Sequence, residues 1–329
     1  MKIIDREQVA ASLSYQSLLP ALLQSFAGQF TMPRRQVFEL APGDGSHNAF
    51  ALLPAWDEEV IGVKSFTYFP NNASEGYDSL YSKIMLFDRR HGVPLALVDG
   101  SSVTLWRTSA VSALTADMLA RPDARHLVLF GTGKLASYMI KAHLSVRDYN
   151  KVTIIGRSAD KVRALLAELQ PQRPDIHWCA GQSDEATLAS ADTISCATGS
   201  PTPLFDGNWL SPGTHVDLIG NHHAHCRECD STSIVRSRVF VDSKTNVLNE
   251  AGELLIPISE GVFDEGQICA ELAELCAARV KADGQHEHAL GSTPGRQSEA
   301  EITLFKSVGT ALSDLVAANL VYKLTARVD

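Results

Sequence analysis

Residues 126–139, "HLVLFGTGKLASYM", restrict the fold more than any other stretch of the chain. A short strand-like run, His126–Phe130, leads at once into a Gly131-x-Gly133-x-x-Ala136 turn and then into a helical pattern. Gly131 permits the tight turn, and Gly133 has no side chain to block an approaching pyrophosphate. Ala136 lets the helix pack closely on the sheet, and the helix N-terminus offers free N–H groups and the positive end of its dipole. "KVTIIG" follows as a second strand and "SADKVRALLAEL" as the next helix. "DIHWCAG", "ADTISCATG", "THVDLIG" and "SRVFVD" read as further buried strands. Strands alternating with helices signal a parallel, doubly wound α/β sheet. Gly131, Thr132, Gly133, Lys134, Leu135 and Ala136 are therefore candidate cofactor-binding residues, with a purely structural turn as the alternative.

The end of the second strand bears on which dinucleotide is bound. NAD-binding folds usually place an acidic residue there to accept from the ribose 2′-hydroxyl. Here the strand ends Gly156-Arg157-Ser158, with no carboxylate until Asp160. Arg157 and Ser158 suit a 2′-phosphate, so NADPH is the preferred cofactor and NADH the second choice. A solvated surface role for Arg157 is the competing reading. Ala197, Thr198 and Gly199, in "CATGSPTPLF", allow close backbone approach on the same cofactor side.

The N-terminal part reads differently. Asp5 is placed to cap a first helical turn, and "YQSLLPALLQSFAGQF" has helical spacing that Pro20 is expected to bend or divide. From Arg35 the period shifts toward two. "RQVFEL", "AFALLPAW", "VIGVKSFTYF", "SKIMLFD" and "PLALVD" read as strands of an antiparallel or mixed sheet. "SSVTLWRTSAVSALTADMLA" then reads as a long helix with Ser101 or Ser102 as its cap. From Thr303 the chain reads as one long amphipathic helix. Residues 281–299 are the most loop-like stretch.

Composition excludes several classes. The 329 residues are 45 % hydrophobic and 20 % charged, with a formal net charge of −9. A surface of that sign argues against nucleic acid or an anionic membrane as the partner. No apolar run approaches the roughly 20 residues of a membrane span. Asp5, Arg6 and Glu7 interrupt any signal-peptide core. The six scattered cysteines are expected as free thiols in a reducing cytoplasm.

The order "MPRR", "IGVKSFTYFPNN", "GVPLALVDG", "WRTSAVSAL", "LVLFGTG", "SPGTHVDLIGN", "FKSVGTALSD" resembles the ornithine cyclodeaminase/μ-crystallin family from Pro33 to Asp314. "RTSAVSAL" and "FKSVGTA" are the most specific parts. The resemblance implies an N-terminal α+β substrate-binding and dimerisation domain over 1–118 and a Rossmann domain over 119–302. It further implies a C-terminal helix over 303–329 returning to the first domain, and a homodimer. By position it implies that Arg35 and Arg107 hold a substrate carboxylate and that Lys64 sits beside the reacting carbon–nitrogen bond. Thr108 would contact the cofactor pyrophosphate, and Val308 and Gly309 would lie on the cofactor side. The bare chemistry agrees: an arginine fork pairs two N–H groups with two carboxylate oxygens, and a lysine inside "VIGVKSF" is unusual for a strand interior.

Two departures select within the family. Its cyclodeaminases carry a glutamate where this chain has Ala51, and an aspartate where it has His222. A diamine substrate would lose both carboxylates that neutralise its second amine, at a cost of about several kcal/mol for an unpaired buried ammonium. Reduction of a cyclic 2-imino acid, Δ1-pyrroline-2-carboxylate or Δ1-piperideine-2-carboxylate, is therefore the expected activity. Ornithine cyclodeamination, an alanine-type dehydrogenase and a non-catalytic NADPH-binding crystallin-like protein are the alternatives.

The stretch "GNHHAHCRECD", residues 220–230, invites a metal reading. One Cys226-x2-Cys229 pair without a second such pair is a poor basis for a closed four-ligand site, so no metal is expected. The loop leaves the carboxyl end of a predicted strand, which places Asn221 and His222 toward the ligand crevice. There a histidine would relay a proton near neutral pH, unless the loop is merely polar.

Overall fold

A computed structural model of the chain describes residues 1–43, 45–285 and 294–326. The chain divides into two units, residues 1–108 with 310–329 and residues 109–309. The breaks come at 108/109, inside a helix Gly100–Leu119, and at 309/310. The sequence reading had put them at 118/119 and 302/303.

The first unit is built on strands β1 (Lys2–Ile4), β2 (Gln36–Glu39), β3 (Ala49–Trp56), β4 (Val60–Tyr68), β5 (Leu80–Asp88) and β6 (Pro94–Asp99). They form one sheet in the order β1-β6-β5-β4-β3-β2, antiparallel except for the β1–β6 pair. Strict alternation sets the buried face. Leu53, Lys64, Ile84 and Val98 stand in register across four strands, and Ala55, Gly62, Leu86 and Ala96 form the next row. The helix Ala311–Ala326 packs on β3, β4 and β5 and on the helix Tyr15–Ala27.

Several expectations are corrected here. Residues 302–306 are not helical: Ile302–Lys306 is a fully buried strand, and the helix begins only at Ala311. Its β-branched and aromatic content, "ITLFK", favours a strand. That helix is buried on nearly every side rather than amphipathic. Pro20 neither ends nor divides its helix, because Tyr15, Leu18, Leu22 and Phe26 anchor a continuous buried stripe while Pro20 is exposed. Asp5 does cap Arg6–Ser12 through a capping box. At the start of Gly100–Leu119 it is Asp99, not Ser101 or Ser102, whose carboxylate accepts from the Ser102 N–H at 2.9 Å and its hydroxyl at 2.7 Å.

The second unit is an eight-stranded, wholly parallel sheet. Its strands are β7 (His126–Phe130), β8 (Lys151–Ile155), β9 (His177–Ala180), β10 (Thr193–Cys196), β11 (His215–Leu218), β12 (Ser237–Val241), β13 (Ile268–Glu271) and β14 (Ile302–Lys306). The order is β13-β12-β14-β11-β10-β7-β8-β9. Successive residues of β7 feed two separate cores, Leu127 and Leu129 on one face and Val128 and Phe130 on the other. That is why these strands read as unbroken apolar runs. Strand order reverses between β7 and β10, so this is a Rossmann-type sheet with its switch point there. Of the loop-like stretch 281–299, residues 281–285 continue a helix Leu272–Gln285 and 286–293 lie outside the described residues, as do 327–329. No helix among the described residues is long and apolar enough to cross a membrane.

Gly62 admits the C-terminal helix to the sheet. A Cβ there would lie 2.5 Å from Leu315 Cδ1 and 3.3 Å from Leu86 Cδ2, both side chains being buried. Gly62→Ala is expected to destabilise the chain by about 1–3 kcal/mol through overpacking, read as a lowered midpoint in thermal or urea unfolding.

Candidate active site

In the second unit, the candidate cofactor-side residues lie on loops at the carboxyl ends of the strands. Gly131 follows β7 at φ +123°, and a Cβ on it would lie 2.6 Å from the Ala197 carbonyl. Conformation and close approach thus both demand glycine at the switch point. Gly133 and Gly199 are different: an added Cβ would meet no heavy atom within 4 Å. Their glycine character leaves space rather than filling a packed contact. The helix Ala136–Leu144 opens at Leu135 with no side chain capping it, and Ala136 is buried against the sheet. A glycine-lined turn leading into an uncapped helix N-terminus fits a dinucleotide pyrophosphate. Gly156, at the end of β8, is held close to Thr132. Arg157 is exposed, and Ser158 caps the next helix by accepting from the Lys161 N–H. Asp160 pairs with Arg163 on that helix.

A buried charge network, absent from the sequence reading, holds these loops. Glu228 is fully buried and accepts from the Thr198 N–H at 2.7 Å, the Thr198 hydroxyl at 2.8 Å and the Gly220 N–H at 2.8 Å. Burial outweighs those bonds and pushes its carboxyl up to about 8, with Lys306 pulling the other way. Lys306 is also fully buried. It lies 3.0 Å from Glu253 and donates to the Asn221 carbonyl at 2.7 Å. Asn221 in turn donates from its side chain to Ser200 O at 2.6 Å. Asp242 completes the set, accepting from the Ser307 hydroxyl at 2.6 Å and the Val308 and Gly309 N–H groups at 3.0 and 2.8 Å. Thr198, Asn221, Val308 and Gly309 are therefore fixed by buried carboxylates and a buried lysine, whereas Ala197 is held through its N–H on Phe130 O. Nothing in "HCRECD" distinguishes Glu228 as an inward residue, because its histidine and cysteine neighbours dominate the pattern.

The histidine-rich loop resolves plainly. His222, His223 and His225 are exposed. The rings of His222 and His223 lie 4.5 Å apart between centroids. Cys229 is buried, Cys226 partly so, and all six cysteines are free thiols. Among the described residues no group of three His, Cys, Asp or Glu side chains is placed to hold a metal.

The first unit gathers the other predicted residues. Lys64, 3 % exposed on the inner face of β4, donates to the Thr104 hydroxyl at 2.6 Å and to Asp314 Oδ1 at 3.1 Å. Arg107 donates from Nε to the same Oδ1 at 3.0 Å. Its two terminal nitrogens have no hydrogen-bond partner among the described residues. Burial lowers the Lys64 amine to about 8; Asp314 opposes that shift, whereas Arg107 and then Arg35 reinforce it. Arg35 therefore belongs to the same electrostatic neighbourhood as Lys64 and Arg107. Thr108, buried on the same helix, is the last residue of this stretch of the unit. Asp314 was missed because the stretch from Thr303 was read as one amphipathic helix, in which a lone acidic residue passes for part of the polar face; its place in "FKSVGTALSD" was the available signal.

The chain thus combines a Rossmann-type parallel α/β unit with a unit that brings Lys64, Arg107 and Arg35 into one electrostatic neighbourhood. The comparisons narrow this. The model of the ornithine cyclodeaminase/mu-crystallin family matches residues 3–327, and the chain belongs to that family. It is 54 % identical over 330 residues to a Delta(1)-pyrroline-2-carboxylate reductase of Colwellia psychrerythraea, covering 99 % of this chain and 100 % of the relative. A protein of the same description from Paracoccus denitrificans is 34 % identical over 317 residues, covering 95 % and 94 %. Among solved structures, the Thermococcus litoralis Delta(1)-pyrroline-2-carboxylate reductase in complex with NADH and L-proline superposes with a TM-score of 0.89 at 30 % identity. That match covers 99 % of this chain and 98 % of that one.

Glu228→Ala is expected to lower stability by about 2–5 kcal/mol. It strands the Thr198 and Gly220 N–H groups and opens a cavity beneath both loops. The check is chemical denaturation monitored by circular dichroism.

Proposed function

We propose that this chain reduces a cyclic 2-imino acid, Δ1-pyrroline-2-carboxylate or its six-membered homologue Δ1-piperideine-2-carboxylate, to the corresponding L-amino acid with a reduced nicotinamide cofactor. The observation that carries this reading is the cluster of Arg35, Lys64 and Arg107 in one unit of a chain 54 % identical to the Colwellia reductase. Arg107, tethered by Nε alone, keeps its terminal fork for a carboxylate, and Arg35 supplies a second cation to the same anion. Lys64, as the ammonium, gives its proton to the ring nitrogen and converts the imine to the more electrophilic iminium. When bound, the reduced nicotinamide supplies the hydride that adds to the ring carbon. The electron pair of the C=N bond then settles on nitrogen, and the neutral Lys64 amine regains a proton from water. Lys64 is preferred over His222 for this step, because Lys64 is buried and held by Thr104 and Asp314 while His222 is exposed. Ala51, buried on the inner face of β3 opposite Phe66, offers no carboxylate to a second substrate amine, which favours reduction over cyclodeamination.

The residues that would hold the cofactor are Gly131–Ala136 at the pyrophosphate, Arg157 and Ser158 at the adenosine ribose, and the loops bearing Thr198, Asn221 and Val308. An exposed arginine at the end of β8, where the next carboxylate, Asp160, is paired with Arg163, supports NADPH over NADH. The free thiols support work in a reducing cytoplasm.

The test is an absorbance assay with both imino acids and both cofactors. Cofactor oxidation is expected with at least one ring size, at a higher kcat/KM for NADPH. The rate should fall as pH rises through about 8, because only protonated Lys64 donates and its pKa lies there. No oxidation of either cofactor with either imine rejects the assignment.

We also propose a homodimer built on the outer face of the first unit's sheet. Ile3, Phe38, Phe50, Val63, Met85 and Leu97 put apolar side chains on that face beside the Lys83–Asp99 pair, and Ile3 and Phe38 are 69 % and 49 % exposed. A sheet face of that composition is normally covered. Sedimentation should give twice the 35.6 kDa chain mass, with Phe50→Glu shifting the protein toward monomer.

A further inference from the structure

We infer that Asp314 is the positioning residue of this site: one carboxylate oxygen holds Lys64 in its proton-bearing form and fixes the Arg107 guanidinium with its fork free. The inference rests on the reading of Lys64 as proton donor and extends it to a group on a different element.

The geometry is specific. Asp314 lies in the first turn of Ala311–Ala326, is 1 % exposed, and directs Oδ1 at both Lys64 Nζ, 3.1 Å away, and Arg107 Nε, 3.0 Å away. Its Oδ2 is buried with no hydrogen-bond partner among the described residues. A carboxylate used on one oxygen only, in so dry a place, is retained there by charge rather than by a full hydrogen-bond complement. The two cations and the helix N-terminus supply that charge.

The groups around Lys64 divide cleanly. In the sheet it stands between Leu53 of β3 and Ile84 of β5, which carry no charge. The helix Gly100–Leu119 presents Thr104, neutral and itself donating to Gly100 O, and the cation Arg107. Arg35 adds a second cation. Burial, Arg107 and Arg35 all favour the neutral amine, and Asp314 is the anion set against them. Without it Lys64 would be left among influences that all expel its proton. Binding Arg107 through Nε has a second effect. The side-on contact stops rotation of the guanidinium while leaving its two-nitrogen edge available to a planar carboxylate.

The experiment compares full-length wild type, Asp314→Asn, Asp314→Glu and Lys64→Met. Three readouts are taken: the pH profile of kcat/KM for the imino acid, the titration of lysine 13Cε resonances in cofactor-free protein, and the melting temperature. Lys64→Met identifies the Lys64 resonance. In Asp314→Asn, the alkaline limb and the Lys64 midpoint are both expected to move to lower pH by about one unit, a loss of about fivefold in kcat/KM at pH 8 that approaches about tenfold at higher pH. The KM for the imino acid should rise as well. Asp314→Glu keeps the charge and should keep the midpoint while raising KM. A midpoint that stays put in Asp314→Asn, or moves as far in Asp314→Glu, overturns the inference, whatever the loss in melting temperature. If Asp314→Asn does not fold, the Asp314→Glu arm decides on the same terms. An alkaline limb that survives in Lys64→Met overturns the proton-donor reading instead, and the resonance titration still judges what Asp314 does to Lys64.

Discussion

A single oxygen atom, Asp314 Oδ1, accepts from a lysine on a strand and an arginine on a helix. Two like charges taken out of water repel each other and each loses hydration, so a shared carboxylate is the condition for keeping both. Arg35 adds a further positive charge to the neighbourhood of Lys64. Lys64 and Arg107 are therefore one electrostatic object rather than two neighbouring charges.

The second unit uses buried charge the other way. Glu228 and Lys306 turn inward and bond to backbone groups of the loops at the strand ends, with Glu253 beside Lys306. These groups shape the loops while staying buried. The turn after β7 combines glycines with an uncapped helix end, which suits a ligand carrying its own phosphates.

The parallel sheet was legible because its strands are apolar on both faces and punctuated by turns, and because Gly131-x-Gly133-x-x-Ala136 follows the first of them. The inner and outer faces of the first sheet were legible from alternation. Arg35 and Arg107 were legible only through the family resemblance, since an arginine on a helix or in a loop has no local mark of burial, whereas Lys64 also stood out as a lysine inside the strand "VIGVKSF". Glu228, Glu253, Asp242 and Asp314 were not legible. Their roles depend on which backbone groups come near them in space, and no short-range pattern encodes that. β14 was misread because "TLFKSVGTALSDLVAANL" joins a strand, a turn and a helix with no proline between them, so helical spacing was extended backward past Gly309 to Thr303.

The first unit is made from two separated stretches of chain, with the whole second unit inserted between them. During synthesis, residues 109–309 are complete and able to collapse before the helix that carries Asp314 has been made. The amine on β4 and the guanidinium on Gly100–Leu119 must wait for it, as like charges without their anion. The half that carries Arg35, Lys64 and Arg107 is thus the late-assembling half, and a chain cut short before residue 314 would hold all eight strands of the parallel sheet but leave Lys64 and Arg107 without their shared anion.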